Sequence, residues 1–151
     1  MRPIYESDED LSEEKKIVTD VCTAWGCEAH KLPISYHLDF LLQTEKGTPL
    51  IFLEIKRRNF FWNQYPDVII SLSKLITATN VKASTGLLTN FVVKSDDALM
   101  WFRLNEAQGR DDWIRVGGRT LNTRDSADIE PVVHIPVSQF KQVKWENEIE
   151  N

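Results

Sequence analysis

Along residues 11–25, LSEEKKIVTDVCTAW, the apolar positions Leu11, Val18, Cys22 and Trp25 recur at helical spacing with Ile17 and Val21 beside them, and Gly26 supplies a stop. The spacing predicts a first helix over 11–25. CEAHKLP reads as a short strand, and YHLDFLLQ and PLIFLEIKR as longer ones on either side of the turn-prone TEKGT. NFFWNQYPD is an aromatic-rich loop. In DVIISLSKLITATN, Val68, Ile69, Leu72, Leu75 and Ile76 form one apolar stripe, which predicts a second helix. STGLLTNFVV predicts a buried strand, DALMWFRLNE and DDWIRVGGRT further strands with Gly117-Gly118 as a hairpin turn, and VVHIPV a last strand before SQFKQVKW. No repeat, low-complexity segment or long linker divides the chain, so an α/β class and a single domain over 1–151 are expected.

Two of these strands carry charge where burial is expected. Asp39 lies in YHLDFLLQ, and Glu54 and Lys56 lie in PLIFLEIKR. A two-residue turn at Lys46-Gly47 makes Asp39 and Glu54 cross-strand partners, with Lys56 on the same face as Glu54. A longer loop shifts this register by two and keeps the face, whereas a shift of one breaks the site. Carboxylates opposed at about 5 Å repel by roughly 3 kcal/mol at an effective dielectric near 20. A hard divalent cation offsets that repulsion, and Mg²⁺ commonly sits on one or two carboxylates while substrate phosphate and waters fill its other positions. Lys56 alongside would orient or help deprotonate a water, or neutralise charge growing on a scissile phosphate. The trio outlines a phosphodiester-hydrolysis site. The plainer reading is a solvated sheet face on which Lys56 pairs with Glu54 or Asp39.

Glu14 lies three, four and seven residues before Ile17, Val18 and Val21, so it shares the helix face that packs on the sheet and is the candidate third carboxylate. Acids also gather in a first helical turn to complement the dipole, and Asp10-x-x-Glu13 has the form of a capping box. That accounts for Glu13 better than for Glu14.

The ordered set of Glu14 on a first helix, Asp39 in a strand, Glu54-Ile55-Lys56 in the next strand and a second helix beyond resembles the PD-(D/E)XK nuclease superfamily. Tyr36-x-x-Asp39-Phe-Leu-Leu followed by Phe52-Leu-Glu54-Ile-Lys56 is similar to the hairpin of its phage resolvase-type members. The likeness covers residues 11 to about 93, with Leu38 where the family pattern has proline. It implies a restriction-endonuclease-like core of helix, three strands, helix and strand, with a mixed central sheet and extra C-terminal strands. It also implies Asp39, Glu54, Glu14 and the Ile55 carbonyl as ligands of Mg²⁺ or Mn²⁺, and Lys56 as catalytic base or electrostatic aid. A homodimer is expected on the same analogy.

Past Lys56 come Arg57 and Arg58, then Phe60, Phe61, Trp62 and Tyr65, a basic and aromatic stretch suited to phosphate contact and base stacking, or to a lid over the core. Lys74, on the polar side of the second helix with Ser71, is a further candidate for DNA contact. Arg115 and Arg119 flank the Gly117-Gly118 turn and would reach a DNA groove or merely end a hairpin. His37 shares the face of Asp39 in the strand reading.

The net charge of −5 does not exclude nucleic acid, because its acids are concentrated at the ends. Residues 1–14 hold six acids and one base, and residues 145–151 hold three acids and no base, which leaves 14 acids against 17 bases between them. The ends, about 1–10 and 146–151, are expected to be mobile. Cys22 and Cys27 lack the further cysteines of a zinc site or a disulfide framework, and no apolar run reaches the roughly 20 residues of a membrane span, so a cytoplasmic setting without membrane contact is expected. Three functions stay open: a Mg²⁺- or Mn²⁺-dependent DNA endonuclease that takes branched DNA, a non-catalytic module that binds DNA or a protein with structural carboxylates, and a transition-metal hydrolase using His37, Asp39 and Glu54.

Overall fold

The computed structural model describes residues 8–118 and 129–144. Helix α1, Asp8–Trp25, is followed by strands β1, Glu28–Lys31, β2, Phe40–Gln43, and β3, Pro49–Arg57. Strand β4, Asp67–Ser71, leads directly into α2, Leu72–Thr85, and β5, Thr89–Lys94, and β6, Leu99–Arg103, follow. The chain continues with β7, Ile114–Gly118, β8, Ile129–Pro136, and β9, Lys141–Gln142. The central sheet has six strands in the order β1-β2-β3-β5-β6-β9, and a smaller sheet has the order β4-β8-β7. Among the described residues all pairs are antiparallel except β3 with β5, whose parallel pairing needs the crossover that carries α2. Helix α1 already includes Asp8 to Asp10, so it starts before the position expected from the sequence. The expected acidic ends fall largely outside the described residues, as does Arg119.

The central sheet is buried on both faces. Against one face α1 lays Ile17, Val18, Val21, Ala24 and Trp25, which pack on Phe40, Leu42, Ile51, Leu53, Ile55, Val92 and Trp101. Leu11 begins the stripe but is exposed. Against the other face, Leu75 and Ala78 of α2 and Val68, Ile70, Val133 and Ile135 of the small sheet pack on Phe91, Val93 and Phe102. Each fully buried aliphatic side chain contributes about 1.5–3 kcal/mol of transfer free energy. The alternation along β3 therefore sends Ile51, Leu53 and Ile55 toward α1, and sends Glu54, beside Phe91 on β5, toward α2.

The apolar stripe beginning at Val68 does not form one helix. Residues 67–71 are β4, with Val68 and Ile70 buried and Ile69 exposed, and Ser71 caps α2 by accepting from the Ser73 N–H. Val-Ile-Ile is β-branched, and its two-residue alternation suits the small sheet, which offers Ile135 and Val133 as partners of Val68 and Ile70. Ile76, on the expected stripe, is consequently exposed.

The β2–β3 hairpin also differs at its tip. Gly47, at φ +88°, donates to the Thr44 carbonyl, and Thr44 and Thr48 close a three-residue loop in place of two. The ladder then skips Leu50, because Gln43 pairs with Pro49 and Leu42 with Ile51. The two offsets cancel, so Phe40 opposes Leu53 as the shorter loop would have placed it.

Candidate active site

Strand β2 enters the ladder only at Phe40, so the far end of β3, residues 54–57, extends past it. Asp39 sits at this junction and is not the ladder partner of Glu54. Its N–H donates to the Leu53 carbonyl at 3.0 Å, its carbonyl accepts from the Leu32 N–H at 2.9 Å, and its Oδ2 accepts from the Ile55 N–H at 2.7 Å. The carboxylate thus takes the hydrogen bond that a longer β2 would have supplied from its backbone. A strand residue presents its N–H and C=O to the same edge, so the Ile55 carbonyl faces this gap as well.

Glu54 is fully buried, and both of its carboxylate oxygens lack a hydrogen bond among the described residues. Lys56 Nζ stands 3.3 Å from Oε2 and Lys74 Nζ 3.4 Å from Oε1, ion-pair distances without hydrogen-bond geometry. Burial and then the negative charge of Asp39 push the Glu54 carboxyl up to about 7 from its ordinary 4.5, and the two lysines only partly oppose them. Lys74 is held in place by donating to the His37 carbonyl at 2.5 Å. That carbonyl is available because His37 adopts a left-handed conformation, φ 63°, at the end of the 3₁₀ turn Ile34–Tyr36, where a strand was expected.

These groups open into a cavity of about 430 Å³ that is also lined by Glu14, Arg57 and Arg58. Glu14 reaches its rim from α1 and pairs with Lys31 at 2.7 Å, and Lys31 Nζ lies 3.9 Å from Asp39 Oδ1. Lys31 was missed by the sequence reading. The signal was available in the β1–β2 pairing, which sets Lys31 opposite Phe40, one residue from Asp39. Arg57 points partly away, its guanidinium 2.8 Å from Asp96 and bonded to the Lys94 carbonyl. Arg58 donates to the Ile69 carbonyl at 3.2 Å, and burial lowers its pKa from the ordinary value while the Glu54 charge opposes that. Trp62 is core, 5.0 Å from the Phe140 ring, and Phe60 packs beside it, whereas Phe61 and Tyr65 are exposed.

A divalent cation fits these residues. The ligand atoms are hard oxygens, and a buried Glu54 carboxylate whose charge two lysines only partly offset, beside a second carboxylate, is what such an ion would satisfy. Among the described residues, no three histidine, cysteine, aspartate or glutamate side chains converge as a ready set. A ligand shell here would therefore draw on the Ile55 carbonyl and on substrate oxygens. The exposed His37 gives no support to the transition-metal reading.

The fold is similar to that of the Holliday junction resolvase Hjc from Archaeoglobus fulgidus, at 13% identity and a TM-score of 0.56 over 90% of this chain and 93% of that one. It is likewise similar to a nuclease from a fusselovirus, at 16% identity and a TM-score of 0.54 over 94% of this chain and 88% of that one. No curated protein matches the sequence significantly. The family model described as "Phage putative PDDEXK endonuclease" matches residues 1–143. The chain belongs to this family of phage endonucleases and is a nuclease of the PD-(D/E)XK type.

Proposed function

We propose that this DNA endonuclease works with Mg²⁺ or Mn²⁺ held by Asp39, Glu54 and the Ile55 carbonyl, with Glu14 at the rim as an additional acid. The observation that carries the reading is Glu54, a buried carboxylate faced by two lysines at ion-pair distance and set beside Asp39, just before β2 begins. When bound, the cation supplies charge to a phosphodiester oxygen and makes a water more acidic. The protein's own groups do the rest. Asp39, fixed through three hydrogen bonds, keeps one oxygen free of the backbone. Lys56 holds its Nζ beside Glu54 at the mouth, where it neutralises charge on the scissile phosphate or positions the attacking water. Lys74 steadies the ionised Glu54 from α2, and Arg58 and Arg57 meet the DNA backbone. Branched DNA is the favoured substrate, on the likeness to a resolvase, and a homodimer acting in the host cytoplasm is part of the same proposal.

The test is cleavage of labelled linear duplex, single-stranded and four-way-junction DNA with Mg²⁺, Mn²⁺ or EDTA, beside Asp39→Asn and Lys56→Ala. Metal-dependent cutting lost in both variants supports the proposal. Binding of DNA by all three proteins without any cutting would replace it with the non-catalytic module.

A further inference from the structure

We propose that the outer face of the small sheet is a subsite for one unpaired nucleotide of the DNA strand next to the scissile phosphate. The inference rests on the nuclease reading and specifies which part of the substrate the enzyme recognises. A cavity of about 540 Å³ lies on that face, within the range of small-ligand pockets. Its lining includes Arg58, Phe60, Tyr65, Ile69, Arg115 and His134.

Three observations give the cavity its chemistry. First, Arg58 lines both this cavity and the one around Glu54, so the two share a wall, and its guanidinium is fixed by the Ile69 carbonyl at 3.2 Å. A strand whose phosphate lies at Lys56 reaches the second cavity without leaving the surface. Second, the floor is aromatic and aliphatic yet open. Tyr65 and Ile69 are 51% and 43% exposed, and Tyr65 meets Phe60 edge to face at 5.5 Å, which holds the tyrosine ring and leaves a face for another planar group. Third, cations flank this floor in a chain whose net charge is negative. Arg58 stands on one side, and Arg115, exposed on β7, on the other.

Cross-strand pairing explains how these side chains come to share a face. Ile69 opposes His134, and Arg115 opposes Val132 two residues before it, while Val68 and Ile70 turn inward. His134 Nδ1 is 3.5 Å from Asp67, which gives the wall a donor and an acceptor able to meet a base edge. An open aromatic face flanked by arginines suits a base and its phosphates, because stacking tolerates any base and guanidinium groups take the charge. A paired base stays stacked inside its duplex, so only an unpaired one fits.

The test uses the full chain carrying Lys56→Ala, so that DNA stays uncut, titrated with oligonucleotides bearing 2-aminopurine at one unpaired position or at the same position fully paired. The expected result is quenching of the unpaired probe. Tyr65→Ala and Arg115→Ala should abolish the quenching or lower the ratio of unpaired to paired affinity about tenfold, within the range of one base–aromatic stack, and Tyr65→Phe should restore it. Unchanged quenching in both alanine variants, or equal weakening on paired and unpaired DNA, overturns the proposal, and in the latter case points to general charge or a protein partner. Wild-type cleavage run in parallel separates the two readings: cutting that persists while the Tyr65→Ala and Arg115→Ala proteins still prefer unpaired over paired DNA as strongly as their parent sinks the subsite alone, and no cutting with any divalent metal sinks the nuclease assignment.

Discussion

Replacing Glu54 by glutamine should stabilise the metal-free protein, by an amount that depends on pH. The side chain keeps its shape and loses its charge. Glu54 titrates near 7 in the folded chain against an ordinary 4.5, so between those values the folded state binds more protons than the unfolded one. Stability conferred by the protonated carboxyl is therefore lost as pH rises from about 4.5 through about 7, and the loss is complete above that. At 1.36 kcal/mol per pH unit, the ionised carboxylate costs about 3 kcal/mol at pH 8. Glu54→Gln should recover most of that, raising Tm by roughly 6–12 °C at pH 8 for a chain of this length. Near pH 4.5 the two proteins should unfold almost together. Urea melts in EDTA at pH 4.5, 6 and 8 measure the difference, and Mg²⁺ should narrow it by stabilising only the wild type. A variant that is less stable at pH 8, or a gap that does not change with pH, would refute the reasoning that Glu54 is held charged at a cost.

The same carboxyl makes metal binding pH-dependent: the apparent affinity for Mn²⁺, measured by calorimetry, should fall about tenfold per unit below pH 7, and a flat profile would exclude Glu54 as a ligand. Lys74→Ala removes a cation that favours the ionised Glu54, so the midpoint of that profile should move to higher pH. A downward move would show that Lys74 acts mainly through the His37 carbonyl. Gly47→Ala should cost about 1–2 kcal/mol in urea melts through its positive φ alone, since no atom lies within 4 Å of an added Cβ, while cleavage is retained.

Much of the core could be read from the chain because periodicity and burial agree there. PLIFLEIKR is β3 to the residue, and the α1 stripe packs as its spacing required. The register that brings Asp39 near Glu54 was reached through a turn the protein does not use, and holds because the longer loop and the skipped Leu50 offset each other. The Asp39 contact to the Ile55 N–H was not legible, since it depends on where β2 enters the ladder, a tertiary event without a local signal. Residues 67–71 show the limit of periodicity. Val68, Ile69 and Leu72 satisfy a helical stripe and Val68 and Ile70 satisfy a strand, and the choice was made by β8, some sixty residues away. Glu14 and Glu54 approach from opposite faces of the sheet, so helix periodicity placed Glu14 near the site but could not show that Lys31 stands between it and Asp39.

The most direct test is a crystal of the full chain soaked in Mn²⁺, with anomalous diffraction recorded at a wavelength where manganese scatters strongly. The account predicts one peak in the Glu54 cavity, within bonding distance of an Asp39 oxygen, a Glu54 oxygen and the Ile55 carbonyl, and no such peak in Glu54→Gln. A manganese site elsewhere, at His37 for example, with the Glu54 oxygens still unmatched, would contradict it.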